Sequence, residues 1–167
     1  MQQVPRVTCT REHTISCGHR VHNHESRCAN LHGHNYTIQI TCQSYLLDQL
    51  DSVGRVVDFS VIKSICCEWL ENEWDHKFLM WEEDPWYDFL KVNKLATATG
   101  LVPIPGLIVV PFNPTAENMA CFLVDKFNQR FVDVNVPVEC THIRVIETPK
   151  CWADYHAVPR YTGILRK

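Results

Sequence analysis

The stretch Cys28-Ala29-Asn30-Leu31-His32-Gly33-His34 sets two imidazoles one residue apart, just after a thiol. In an extended backbone, residues i and i+2 project to the same face, so His32 and His34 can converge on one point. His19 offers a third imidazole upstream. Three neutral histidines with one open position describe a catalytic zinc site better than a closed structural one. The other histidines, among them His13, His22, His24, His142 and His156, lack this spacing and are read as surface or hydrogen-bonded groups.

Cys28 either completes a tetrahedral site with the three imidazoles or stands off the metal as a base or nucleophile. The thiolate is the reactive form, and a nearby cation favours it. Cys17, close to His19, is a competing ligand candidate. In Asp75-His76 a carboxylate beside an imidazole can hold its tautomer and raise its basicity. Glu147 sits among Ile143, Val145 and Ile146, where a carboxylate risks burial without a partner and needs a ligand or cation. The plainer alternative is an ion pair with Arg144 or Lys150.

These groups need a frame. Val4 to about Ile15 reads as a strand, and His34 to Cys42 alternates cleanly as a second. Paired as an antiparallel hairpin, they return His19 to the side of His32 and His34, at one mouth of a sheet. Asp58 or Ser60 caps a helix with Ile62, Ile65, Cys66 and Trp69 on one face, running to about Trp74. A second helix follows Pro114, with Thr115 as N-cap, Glu117 in the first turn, and Met119, Ala120, Leu123 and Phe127 on its apolar face. Cys140 to Glu147 and about Trp152 to Tyr161 close the chain as strands. The long connection at about 78–111 carries a short helix near Trp86 to Val92 and a short strand near Leu107 to Val110. The order predicts an α+β fold: an antiparallel four-stranded sheet with two helices on one face. Its open edges predict oligomerisation.

A chain of 167 residues with 46% hydrophobic and 21% charged residues has the composition of one globular domain. Its net charge of −3 argues against a broad nucleic-acid surface, although Arg20 and Arg27 could receive a small anionic substrate. No apolar run is long enough to span a bilayer, and Met1 to Arg6 has no signal-peptide core, so a cytoplasmic location is expected. Nine cysteines is an odd number, without a Cys-x-x-Cys motif, which argues against a disulfide framework. Cys42, Cys66 and Cys121 read as small buried hydrophobes.

His19-Arg20, Cys28 with His32-Gly33-His34-Asn35-Tyr36, Val57-Asp58-Phe59, Asp75-His76, Pro114-Thr115-Ala116-Glu117-Asn118 and Glu147-Thr148 occur in series along the chain. Together they resemble the 6-pyruvoyltetrahydropterin synthase and 6-carboxytetrahydropterin synthase superfamily. The resemblance spans 1–167 as a single domain, with an insertion at about 78–111. It implies the tunnelling fold, in which subunits join sheets into a barrel, commonly as a homohexamer with sites between subunits. It further implies that His19, His32 and His34 bind Zn2+, that Cys28 abstracts a proton, and that Asp75 and His76 form a proton relay. Glu147 matches the acid that anchors the pterin ring, and Thr115 and Glu117 match a helix start at the pocket rim.

The short gap from Cys28 to His32 resembles the 6-carboxytetrahydropterin synthases of 7-deazaguanine (queuosine) biosynthesis. The implied substrate is a pterin triphosphate, with no nucleic-acid or membrane partner. The alternatives are the pyruvoyl-forming synthase and a non-catalytic, zinc-stabilised pterin-binding module. One departure stands out: Ile15-Ser16-Cys17-Gly18 replaces the Phe-x-Ala-Ala of many relatives, which brings a sulfur near the metal position.

Overall fold

The computed structural model describes residues 7–45, 50–92, 95–97, 100–102 and 104–158. In chain order the elements are β1 (Thr8–His19), β2 (His32–Ser44), and α1 (Phe59–Ile62) continued through a π-type turn (Lys63–Cys67) into α2 (Glu68–Glu73). Then come β3 (Phe78–Trp81), α3 (Pro85–Val92), β4 (Leu95–Thr97), β5 (Gly100–Val102), β6 (Leu107–Val110), α4 (Ala116–Asp133), β7 (Val138–Thr148) and β8 (Cys151–His156).

β1 and β2 form the expected antiparallel hairpin, with His19 opposite His32 and Cys17 opposite His34. β1 runs further than expected, to His19 itself, while Val4 to Arg6 lie outside the described residues. Ile15, Cys17, Tyr36, Ile38, Ile40 and Cys42 bury one face, and hydroxyl pairs Thr10–Thr41 and Thr14–Thr37 lie on the other. Gly18 and Gly33 face each other where the arms come closest. A Cβ on Gly33 would stand 2.8 Å from the Cys17 carbonyl oxygen, so only hydrogen fits between the two histidines.

The sheet has six strands in the order β6-β3-β1-β2-β7-β8, which corrects the expected four-stranded antiparallel sheet. β3 runs parallel to β1, pairing Gly18 with Phe78 and His19 with Leu79, and β6 runs parallel to β3. Phe78-Leu79-Met80-Trp81 has no alternation to read, because Leu79 and Met80 are both fully buried. Such a run is typical of a parallel strand covered on both sides, and periodicity cannot tell it from a helix fragment. The β6 strand lies where Leu107 to Val110 predicted it, and the short helix begins at Pro85. The segment at about 78–111 therefore supplies two strands of the main sheet.

Both helical runs pack on one face of the sheet. Asp58 caps α1, accepting from the Ser60 N–H at 2.8 Å. The π-type turn re-phases the helix so that Ile62, Ile65, Cys66, Cys67 and Leu70 are all buried, and Arg130 Nε donates to the Ile65 carbonyl at 2.8 Å. Thr115 caps α4, which buries Met119, Ala120, Leu123, Val124, Phe127 and Phe131. Large side chains buried this fully contribute about 1.5–3 kcal/mol each. Cys42 and Cys66 are buried as expected, whereas Cys121 is only half-buried.

The ladder of β7 is irregular at two places, the first of them opposite β2. Between Thr41 and Cys42 the β2–β7 register slips, with Thr41 opposite His142 and Cys42 opposite Cys140, so Thr141 is an extra residue. Asn128 of α4 holds this bulge: its Nδ2 donates to the Cys140 carbonyl at 3.0 Å and its Oδ1 accepts the Cys140 N–H at 2.8 Å. Before the bulge Val138 and Cys140 point inward; after it Ile143 and Val145 do, and Glu147 sits at a second register shift, between Ile146 and Thr148 where β7 pairs with β8. β8 ends at His156, and 159–161 of the expected last strand fall outside the described residues. Among the described residues, no helix is long and apolar enough to cross a membrane.

Candidate metal and substrate site

His19, His32 and His34 meet at the open end of the β1–β2 hairpin, with one ligand nitrogen from each lying within 4.8 Å of the others. Their ring centroids are 4.3, 5.3 and 5.1 Å apart. The Nδ1–H of His19 donates to the Pro114 carbonyl at 2.7 Å, and that of His32 to the Asn30 carbonyl at 2.8 Å. A carbonyl oxygen only accepts, so both rings present a bare Nε2 to the cluster. Burial, opposed by the Pro114 bond and reinforced by the neighbouring imidazoles, lowers the His19 pKa to about 4. The neutral ring is the form that binds metal.

The Nε2 atoms of His32 and His34 are buried and have no hydrogen-bond partner. Buried polar atoms are rarely left in that state, and two at the focus of a three-histidine cluster fit a metal ion. Cys17 is not part of this cluster, although it stands opposite His34. Burial, with the Asp75 charge adding to it, pushes its thiol up to about 12.

Glu147 reaches the cluster from β7: its Oε1 is 3.4 Å from His34 Nε2 and 3.7 Å from His19 Nε2. Tyr36, two residues after His34 and so on its face, places its hydroxyl 2.9 Å from His19 Nε2 and 3.4 Å from Glu147 Oε1, two acceptors that share its one proton. No role for Tyr36 was legible beyond its place in the strand, although its i+2 spacing from His34 was the available signal. Arg144, the partner considered for Glu147, pairs instead with Asp154 at 2.8 Å.

A cleft of about 180 Å³ beside the cluster is lined by Cys28, Thr115, Glu117 and Glu147, together with Val21, His24, Ala116, Cys151 and Trp152. Four expected site residues thus share one wall, and His24, Cys151 and Trp152 join them without a prior signal. His76 lines a different cleft, of about 610 Å³, whose wall also includes Cys17 and His34, with Ser16, Gly33, Asn35 and Phe78. Asp75 accepts the Ser16 N–H at 2.7 Å through Oδ1 and the His76 Nδ1–H at 2.8 Å through Oδ2. Burial works against the Asp75 charge, yet these donors hold its carboxyl below the usual range. The His76 side chain is 83% exposed, and the pair does not line Cys28's cleft.

Arg20 does not face an anionic ligand. It is buried and paired with Asp84 at 2.5 Å, which corrects its reading as a substrate-binding cation. A second group, His142, Asp154 and His156, lies at β7–β8. Its imidazoles stack in parallel, 4.2 Å apart and 6° from coplanar orientation, so one ion cannot lie in both ring planes. Both Asp154 oxygens are already taken by Arg144, which holds its carboxyl down to about 2.

The pattern of the family described as 6-pyruvoyl tetrahydropterin synthase matches residues 8–158. A Rickettsia conorii protein named 6-carboxy-5,6,7,8-tetrahydropterin synthase is 30% identical over 149 residues, covering 89% of this chain and 99% of that protein. An Aquifex aeolicus protein of the same name is 33% identical over 132 residues, covering 78% and 76%. Among solved structures, an uncharacterized protein from Wolinella succinogenes has a TM-score of 0.74 at 23% identity, over 92% of this chain and 99% of that one. The Caenorhabditis elegans 6-pyruvoyl tetrahydropterin synthase has a TM-score of 0.60 at 22% identity, over 95% and 100%. A match over nearly the whole chain, on a frame that gathers the three histidines, means that this protein belongs to the 6-pyruvoyl tetrahydropterin synthase family.

Proposed function

We propose that this protein is a zinc-dependent 6-carboxy-5,6,7,8-tetrahydropterin synthase. It converts 7,8-dihydroneopterin triphosphate and water to 6-carboxy-5,6,7,8-tetrahydropterin, releasing acetaldehyde and triphosphate, in 7-deazaguanine (queuosine) biosynthesis in the cytoplasm. The observation that carries this reading is the three-histidine cluster, in which the buried Nε2 atoms of His32 and His34 make no hydrogen bond, beside a cleft walled by Cys28 and Glu147. The names of relatives about 30% identical support the carboxy-forming product.

His19, His32 and His34 would hold the zinc. When bound, it supplies Lewis acidity toward the substrate's side-chain hydroxyls, which lowers the cost of removing a neighbouring carbon-bound proton. Cys28 takes that proton. Glu147 accepts from the amide and amino nitrogens of the pterin ring, while Thr115 and Glu117 shape the rim. Asp75 fixes the His76 tautomer and leaves Nε2 directed outward.

A pocket that encloses a small ligand usually has roughly 300–1,000 Å³, so the 180 Å³ cleft needs another wall. A neighbouring subunit bringing its own Asp75 and His76 supplies both the wall and the relay, in keeping with a homohexamer. The test is to identify the products that metal-loaded protein forms from 7,8-dihydroneopterin triphosphate. Acetaldehyde with triphosphate is expected; triphosphate without acetaldehyde points instead to the pyruvoyl-forming synthase. Cys28→Ala should lose turnover and keep zinc, whereas loss of zinc and fold would mean a non-catalytic module.

A further inference from the structure

Cys28 lies on the single helical turn Arg27–Ala29, which has no buried residue. No apolar anchor holds it, so its place depends on polar ties. The Val21 N–H donates to the Cys28 carbonyl at 2.8 Å, and Arg20 Nε donates to the Ala29 carbonyl at 3.0 Å. The same guanidinium donates through Nη1 to Asp84 Oδ1 and lies 4.5 Å over the Trp86 ring.

Asp84 is 1% exposed, and its oxygen Oδ1 also accepts the Trp86 N–H at 2.9 Å at the start of α3. Its other oxygen is buried with no partner, so Arg20 is the cation that compensates its charge. A planar guanidinium presents several N–H groups in fixed directions, and a lysine ammonium cannot reproduce that fork.

We propose that Arg20 and Asp84 are positioning residues that set Cys28 in the cleft, coupling the thiol-bearing turn to the segment between β3 and α3. Cys28's role as the base rests on the function proposed above; its placement by Arg20 and Asp84 does not. The pair explains why an arginine directly after a metal-ligand candidate is buried: it braces the turn from behind. Asp84 in turn fixes the direction of the guanidinium.

The test uses full-length, zinc-loaded protein carrying Asp84→Ala, Asp84→Asn or Arg20→Lys. Iodoacetamide labelling of Cys28 is followed by peptide mass spectrometry, with Cys151, in the same cleft but on β8, as internal reference. Asp84→Ala should raise the Cys28-to-Cys151 labelling ratio severalfold and lower kcat roughly 10–100-fold, with KM and zinc content unchanged, because small misplacements of a reacting group are costly. Asp84→Asn retains an acceptor for Arg20 and Trp86 and should recover most of both properties.

An unchanged labelling ratio in folded Asp84→Ala overturns the proposal. Should that variant not fold, Arg20→Lys decides: a raised ratio supports the fork, and a parental ratio refutes it. If the parent protein fails to turn over 7,8-dihydroneopterin triphosphate, the proposed function falls, and the labelling ratio still judges the positioning role.

Discussion

Replacing Asn128 with alanine removes the side chain that bonds both backbone groups of Cys140 at the β7 bulge. Asn128 is 4% exposed and Cys140 1%, so water does not readily take over either bond. Each buried backbone group left unpaired costs about 1–3 kcal/mol, which gives about 2–6 kcal/mol for the two. That is a large part of the roughly 5–15 kcal/mol by which a domain is usually stable. Urea denaturation at fixed protein concentration measures it, since the stability of an assembled chain moves with concentration. A loss below about 1 kcal/mol with an unchanged m value would show that the bulge closes without Asn128, and the argument for its role in holding the β2–β7 register would fail.

His32→Ala should abolish metal binding, expected at about one ion per chain, because it removes one of three converging nitrogens; elemental analysis finding full metal content refutes this. Glu147→Ala should weaken pterin binding roughly 10–100-fold, the equivalent of about 1.5–3 kcal/mol for hydrogen bonds to a charged group, without changing metal content. Calorimetry with a pterin ligand measures that loss, and unchanged affinity removes the role. Asp154, held down to about 2 chiefly by hydrogen bonds from Arg144, has a folded pKa below the ordinary 3.8. Its contribution is therefore fully present above about pH 4 and lost as pH falls toward 2. Asp154→Asn should flatten the denaturation midpoint over that range, and equal slopes in both proteins would refute the assignment.

The hairpin, both helix starts and the three histidines were legible because they rest on local rules: period-two alternation from Tyr36 to Cys42, and the capping side chains Asp58 and Thr115. β3 was not, since four apolar residues in a row carry no phase. The burial of Arg20 depends on Asp84, and the bulge at Thr141 depends on Asn128, a partner from α4. Neither dependence is written in the residues next to the one affected. The π-type turn is hidden for another reason, because its extra residue is offset by Cys67 entering the core beside Cys66.

The direct pairing of His19 with His32 separates two requirements that are often entangled. The ladder behind them fixes the distance between the imidazoles, whatever the length of chain spanning 20–31. Doubling that span would add only about 0.6 kcal/mol of closure entropy, so its cost lies in the ties from Arg20 and Val21 that seat the thiol. Residue insertions and deletions can thus move the thiol relative to an unaltered coordination geometry. The spacing of the three imidazoles is in this way independent of the segment that carries the thiol.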